Sequence, residues 1–332
     1  MAKFAYFSRI LGKAVDHVAI TEIAESNTAL VIKASMRVGN ETKKLFIKTA
    51  KRDMEANAYH SKSMREADFY RFIQESAVRN LPIPACYDAF VPEEKGTFLI
   101  VLEDISEVYA APGKKDLRDK RVWFACAVSL ARFHAAFWNN ESISPDGGYS
   151  ELDAQRDRDS LRAFLDDFSG KFSEKTKAIL TKAMEINIAL IESTSRRLRE
   201  KDNVTVCNGD SHIHNFMLPL QQSEAPLIVD FQFWGEGIGT GDLAHLTRVG
   251  FSRRLKREIQ LPLVAHYHQT LLECGVTGYA WEDCLRDYRA STASMVLIPF
   301  WQYTSFGRSY KDWIGDLRGL IDNYEYLHCD AL

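Results

Sequence analysis

The sequence predicts an α+β fold in two lobes: a small β-rich lobe over residues 1–105 and a larger, mainly helical lobe over 106–332. The first hundred residues alternate short extended runs with turn signals, whereas the remainder carries apolar residues at helical spacing over long segments. A length of 332 residues exceeds one typical domain and leaves room for a sizeable core.

In the small lobe, "TALVIKASMRV" and "KKLFIKTA" flank Gly39-Asn40, the pattern of a hairpin with a tight turn. Lys48 thereby falls in a strand. The segment "NAYHSKSMREADFYRFIQESA" then has apolar and aromatic residues at helical spacing and carries Glu66 in its middle. Two more strand-like runs, "LPIPACYDAFV" and "GTFLIVLEDI", are separated by the turn-prone "PEEKG". Ahead of all these, Phe4 to Val18 is mildly amphipathic and basic, as an N-terminal domain helix is. "EDISEVYAAPGKK" is the hinge candidate. Beyond it run the helical patterns "KRVWFACAVSLARFHAAFW", "DRDSLRAFLDDF" and "SEKTKAILTKAMEINIALIESTSRRLRE", with extended pieces only around "NVTVCNGD", "NFMLPL" and "PLIVDFQF".

Composition narrows the function classes. With 46% hydrophobic and 26% charged residues the chain is ordinary globular material. Forty-two basic against 45 acidic side chains give a net charge of −3, which points away from nucleic acid as a partner. No apolar run reaches the ~18 residues of a membrane helix, so no membrane partner is expected. The six cysteines are scattered and form no C-x-x-C pair, which fits a reducing, cytoplasmic compartment.

The chemistry lies in "VCNGDSHIHNFMLPLQQSEAPLIVDFQFWGEGIGTGDLAHL", where Asp210, Asn215 and Asp230 are all oxygen donors. Pairing of "NFMLPL" with "APLIVDFQ" about a centre between Gln222 and Ser223 sets Asn215 opposite Asp230. One amide and one carboxylate suffice for Mg²⁺, which takes its other ligands from water and phosphates. Asp210 is then left to orient or deprotonate a hydroxyl. No Walker A sequence is present, so a P-loop mechanism has no support.

With Asp-x4-Asn followed by an Asp-Phe-Gln triplet, the chain resembles the aminoglycoside phosphotransferase and choline kinase group of protein-kinase-like folds. It is most similar to the CHK or ecdysteroid-kinase-like branch. The resemblance implies an ATP- and Mg²⁺-dependent kinase acting on a small-molecule alcohol, such as an antibiotic, a choline-like amino alcohol or a steroid-like alcohol. It implies Asp210 as the catalytic residue, with Asn215 and Asp230 on the metal. Lys48 looks like the strand lysine that grips nucleotide phosphates, and Glu66 like its helix partner. Glu103, Asp104 and Ile105 in "IVLEDI" look like the hinge that holds adenine, and Asp242 like the acid that supports the catalytic loop. Asn208 stands where the group has histidine. Its amide can bond neighbouring backbone. The nucleotide-covering turn falls at Ser26 and Asn27 and holds no glycine.

About a dozen residues separate Asp230 from Asp242 and no Ala-Pro-Glu element follows, so a protein substrate has no obvious docking place. His212, Trp234, Trp301 and Tyr303 are candidates for contact with a small substrate. The blander reading of the aromatics is helix packing, and that of His134 a core histidine. Lys48 and Glu66 taken alone read as a surface ion pair; their order in the chain sets them apart. Two other functions stay open. His212 and His214 with Asp210 and Asp230 suggest a metal-dependent hydrolase, and Asn208 suggests a kinase-like protein that binds nucleotide without turnover.

Overall fold

The computed structural model describes residues 2–25, 29–51, 58–91, 97–141, 150–221, 224–306 and 310–328. Ser26 and Asn27 therefore lie outside the described residues. The chain opens with α1 (Ala2–Leu11), β1 (Val15–Glu25), β2 (Leu30–Val38), β3 (Glu41–Thr49), α2 (Ala58–Glu75), β4 (Cys86–Phe90), β5 (Leu99–Glu103) and β6 (Tyr109–Ala110). There follow α3 (Lys120–Ala136), α4 (Glu151–Asp167), α5 (Glu174–Glu200), β7 (Thr205–Cys207), β8 (Phe216–Pro219), β9 (Leu227–Ile228) and β10 (Gly235–Gly237). Five helices close the chain: α6 (Thr240–Leu246), α7 (Arg253–Glu273), α8 (Trp281–Met295), α9 (Ile298–Phe306) and α10 (Tyr310–Leu327). The α+β reading holds, with a small antiparallel sheet early and helices later.

Two compact units result. One comprises Met1–Pro112, Asn208–Asp210 and His214–Trp234; the other comprises Gly113–Cys207, Ser211–Ile213 and Gly235–Leu332. The first unit thus takes in a segment that returns from far along the chain.

Its main sheet has the order β1-β2-β3-β5-β4, every neighbouring pair antiparallel. The β2–β3 turn is Gly39-Asn40, with Val38 paired to Glu41 and Gly39 at φ +60°, a value that costs glycine little. Alternate residues share a face of a strand, so Ala34, Met36, Leu45, Ile47 and Val101 build one buried layer. Phe7 and Leu11 of α1 pack against it. A second sheet in this unit, β6-β8-β9, contains the returning hairpin.

That hairpin differs from the expected register by one residue. Phe216 pairs with Ile228 and Met217 with Leu227, and the Val229 amide donates to Asn215 O at 2.9 Å. Val229, rather than Asp230, therefore lies opposite Asn215. Asp230 sits just past the strand at φ +61°, a left-handed turn that strand alternation cannot foresee.

In the second unit α3 packs on α7, and α8 on both α5 and α6. Trp123, Phe133, Leu263 and Tyr267 are fully buried there. Arg197 of α5 pairs with Asp287 of α8 at 2.8 Å and donates to the carbonyls of Asp202 and Asn203, while Tyr279 Oη donates to Asp287. A buried charge pair keeps its place when the remaining polar groups are bonded in this way. Among the described residues no helix is long and apolar enough to cross a membrane.

Candidate active site

The first unit holds a cavity of about 310 Å³ with a mixed lining. Phe46, Tyr70, Leu102, Ile105, Met217 and Val229 give it apolar surface, and Lys48, Glu66 and Asp230 give it a charged cluster.

Lys48 is placed by β3, where it pairs with Val31 on one side and Ile100 on the other. Its Nζ meets Glu66 Oε2 at 2.5 Å, with the two side chains only 13% and 3% exposed. That exposure decides against the surface-pair reading. Burial opposes the Lys48 ammonium, but the Glu66 and Asp230 charges outweigh it and hold its pKa above the usual value. Burial pushes the Glu66 carboxyl up, Lys48 draws it down, and Asp230 and a hydrogen bond from Gln232 add smaller effects of opposite sign.

Glu66 owes its place to the aromatic face of α2. Phe69 stacks on Phe231 with ring centres 3.7 Å apart, and Phe72 stacks on Trp234 at 5.4 Å. Trp234 Nε1 donates to Arg65 O at 2.8 Å, and the Arg65 guanidinium donates back to Trp234 O at 2.5 Å. The segment from Phe231 to Trp234 is thereby clamped to the helix that carries Glu66. Trp234, expected at the substrate, has its ring and its N–H engaged in this clamp. Sequence reasoning missed the clamp, although its signal was present in the paired aromatic runs "DFYRF" and "DFQFW".

The loop before the hairpin is tied together by amides. Asn208 is fully buried; its Nδ2 donates to Asp230 O at 3.0 Å and to Val229 O at 3.3 Å, and its Oδ1 accepts from the Asp210 amide at 3.1 Å. Asn215 Nδ2 donates to Asp210 O at 2.8 Å. Gly209 has φ +83°, and a Cβ there would stand 2.1 Å from Phe233 O, so both conformation and space require glycine. These bonds gather Asn208, Asp210, Asn215 and Asp230 around one loop, despite the register offset. Asp230 Oδ1 is buried and accepts no hydrogen bond. A left-handed aspartate with an unpartnered buried oxygen is the mark of a site under functional constraint.

Glu103, Asp104 and Ile105 all line the same cavity. The Glu103 amide donates to Ala85 O and the Asp104 amide to Lys44 O, at 2.9 and 3.0 Å. Among the described residues the Ile105 amide donates to nothing, so of the three it is the donor left for a ligand edge.

The other candidates belong to the second unit. Asp242, 2% exposed, accepts from His134 Nε2 at 3.1 Å, and its carbonyl accepts from Ser211 Oγ at 2.7 Å. His134 Nδ1 in turn meets Tyr267 Oη at 2.7 Å. His134, Cys207 and Asp242 form a group close enough to share a cation. Hydrogen bonds already use both ring nitrogens, however, and burial, with Asp242 adding, pushes the Cys207 thiol well above its usual range. The group is a closed polar core. The one group of His, Cys, Asp and Glu side chains close enough to share a cation among the described residues is this one, and it includes none of Asp210, His212, His214 and Asp230. His212 is half-buried and His214 exposed. Tyr303 packs on Phe164 and Phe168 and its Oη reaches Asp167 at 3.4 Å, which is helix packing, while Trp301 is 36% exposed.

Comparisons with known proteins follow the same lines. The profile of the ecdysteroid kinase-like family matches residues 5–276. Among solved structures, a proposed aminoglycoside phosphotransferase of Ralstonia eutropha superposes with a TM-score of 0.57 at 13% identity, covering 99% of this chain and 98% of the other. A choline kinase of Cryptosporidium parvum gives 0.58 at 11% identity, with 95% and 91% covered. A microcompartment-associated aminopropanol kinase gives 0.50 at 12% identity, with 100% and 99% covered. At such identities these likenesses show the fold. No curated protein matches the chain.

Proposed function

Because the chain belongs to the ecdysteroid kinase-like family, we propose that it is an ATP- and Mg²⁺-dependent phosphotransferase acting on a hydroxyl group of a small molecule. The observation that carries the reading is one cavity lined both by apolar side chains and by the buried Lys48–Glu66 pair with Asp230.

The residues fit the proposed groups. Asp230 offers a buried carboxylate oxygen without a partner, and the Asn215 amide has its nitrogen engaged with Asp210 O, leaving its oxygen end for a cation. Mg²⁺ prefers such hard oxygen donors. The apolar walls suit a flat heterocycle, with the Ile105 amide as donor to its edge. When bound, Mg²⁺–ATP supplies the transferable phosphoryl group and charge neutralisation. Lys48, kept cationic by two carboxylates, contributes positive charge toward the phosphates. Asp210 accepts a hydrogen bond from the acceptor hydroxyl and takes its proton as the oxygen attacks. Asn208, in place of histidine, holds that loop through backbone bonds. The chain is assigned to the cytoplasm, with a small-molecule alcohol as its partner.

The test is ADP release in the presence of Mg²⁺ and ATP, screened over antibiotics, amino alcohols, sugars and sterols. With a responsive acceptor in hand, Asp210→Asn is expected to lower turnover by about 10²- to 10⁴-fold while nucleotide binding persists. Full turnover in purified Asp210→Asn protein refutes the assignment.

A further inference from the structure

A second cavity, of about 190 Å³, lies wholly within the second unit, at the start of α7 beside α10. That volume is below the ~300 Å³ at which drug-sized pockets begin, so its occupant is small. Arg248, Arg253, Lys256 and Arg257 line it, against Asp322 as the one acidic side chain in the lining.

Lys256 is the unusual member. It is 8% exposed, and among the described residues its ammonium makes no hydrogen bond and no ion pair within 4 Å. Burial pushes its pKa down from 10.5 to about 8; Arg248 adds to this and Asp322 opposes it. Asp322, which also pairs with Arg253 at 3.6 Å, offsets only part of this cost, and the ammonium wants a further counter-charge.

The helix end makes the same demand. No acidic residue stands in the first turn of α7, where Arg253, Arg254 and Lys256 set positive charge against the positive end of the helix dipole. Ser252 Oγ accepts from the Leu255 amide, and Ser252 O from the Lys256 amide. Ahead of these, the amide of Arg253, a residue that lines the cavity, makes no backbone bond among the described residues and remains for a ligand. Gly319 of α10 also lines the cavity, and a Cβ there would meet nothing within 4 Å, so glycine keeps the space open. The buried Asn323 Oδ1 is without a partner and offers an acceptor for a hydroxyl.

We propose that this cavity is a phosphate site, built from Lys256, Arg248, Arg257 and the Arg253 amide at the start of α7, which takes a phosphate group either free or as a monoester. The site involves neither nucleotide nor turnover. Its test is therefore independent of the kinase reading.

The experiment is thermal unfolding of the full chain with inorganic phosphate or glycerol 3-phosphate, each against potassium chloride at matched ionic strength. At concentrations well above Kd, phosphate is expected to raise Tm by at least about 2 °C over chloride. Lys256→Met removes the ammonium at similar volume, and Gly319→Leu fills the space while favouring the helix. Both variants are expected to fold and to lose that rise. A response to inorganic phosphate alone assigns the site to the free anion, and a response to both ligands assigns it to the phosphate head in general. An equal rise in chloride, or an undiminished phosphate response in both variants, overturns the proposal.

Discussion

Lys48 and Lys256 are both largely removed from water, and their surroundings are opposite. Lys48 meets Glu66 at 2.5 Å with Asp230 nearby, and its pKa is held above the ordinary value. Lys256 faces Arg248 and a carboxylate that forms no ion pair with it, and its pKa falls to about 8. A buried cation is stable when the chain supplies its counter-charge and costly when it does not. The first arrangement completes a site from within, and the second leaves it to be completed by something from outside.

The largest expected effect breaks the first arrangement. Lys48→Met leaves Glu66 buried without its counter-charge and is expected to cost about 3 kcal/mol of stability near neutral pH. The Glu66 carboxyl is already pushed up by burial, so this loss shrinks as the pH falls and the carboxyl takes up its proton. Chemical denaturation at pH 5 and pH 8 measures the difference. No loss at either pH would show that the pair contributes nothing to the fold.

Next in size is the converse change. Lys256 has a folded pKa of about 8 against an ordinary 10.5, so the unfolded chain binds more protons between those values. Its cost is therefore present in full below about pH 8 and disappears as the pH rises toward 10.5. At about 1.4 kcal/mol per pKa unit the upper limit is about 3.5 kcal/mol, and with the stem's packing set against it Lys256→Met is expected to stabilise the chain by about 2 kcal/mol at pH 7. The gap between wild type and variant should close above pH 10. A destabilised variant at pH 7 would mean that the lysine stem's packing outweighs the charge.

The smallest effect sharpens the picture of how Glu66 is held. Trp234→Phe keeps a ring against Phe72 but removes the bond to Arg65 O, for an expected loss of about 1 kcal/mol. Denaturation midpoints read this directly; a change below experimental error would assign the clamp to ring stacking and the Arg65 bond to the Trp234 carbonyl.

Much of this was legible in the sequence, for identifiable reasons. The Gly39-Asn40 turn, the strand position of Lys48 and the helical position of Glu66 follow from local patterning, which short turns and alternating residues report well. That Asp210, Asn215 and Asp230 belong to one loop and hairpin is legible because they lie close in sequence. The hairpin register was missed by one residue, since alternation carries no sign of the left-handed turn at Asp230. The role of Trp234 depends on Arg65, 169 residues away, and the aromatic runs on each side do not say that they meet. The basic run "SRRLKRE" reads as a solvated face unless the burial of Lys256 is known.

The return of residues 214–234 to the N-terminal unit bears on how the chain is made. Strand β9 bonds to Pro82 through the Ile228 amide, and Phe231 covers Phe69, so these late residues finish what the early ones begin. Domains generally fold as the ribosome delivers them, N-terminal first. Here the unit at the N-terminus stays incomplete until Trp234 has emerged, and its nascent sheet and helix must wait through the synthesis of α3, α4 and α5.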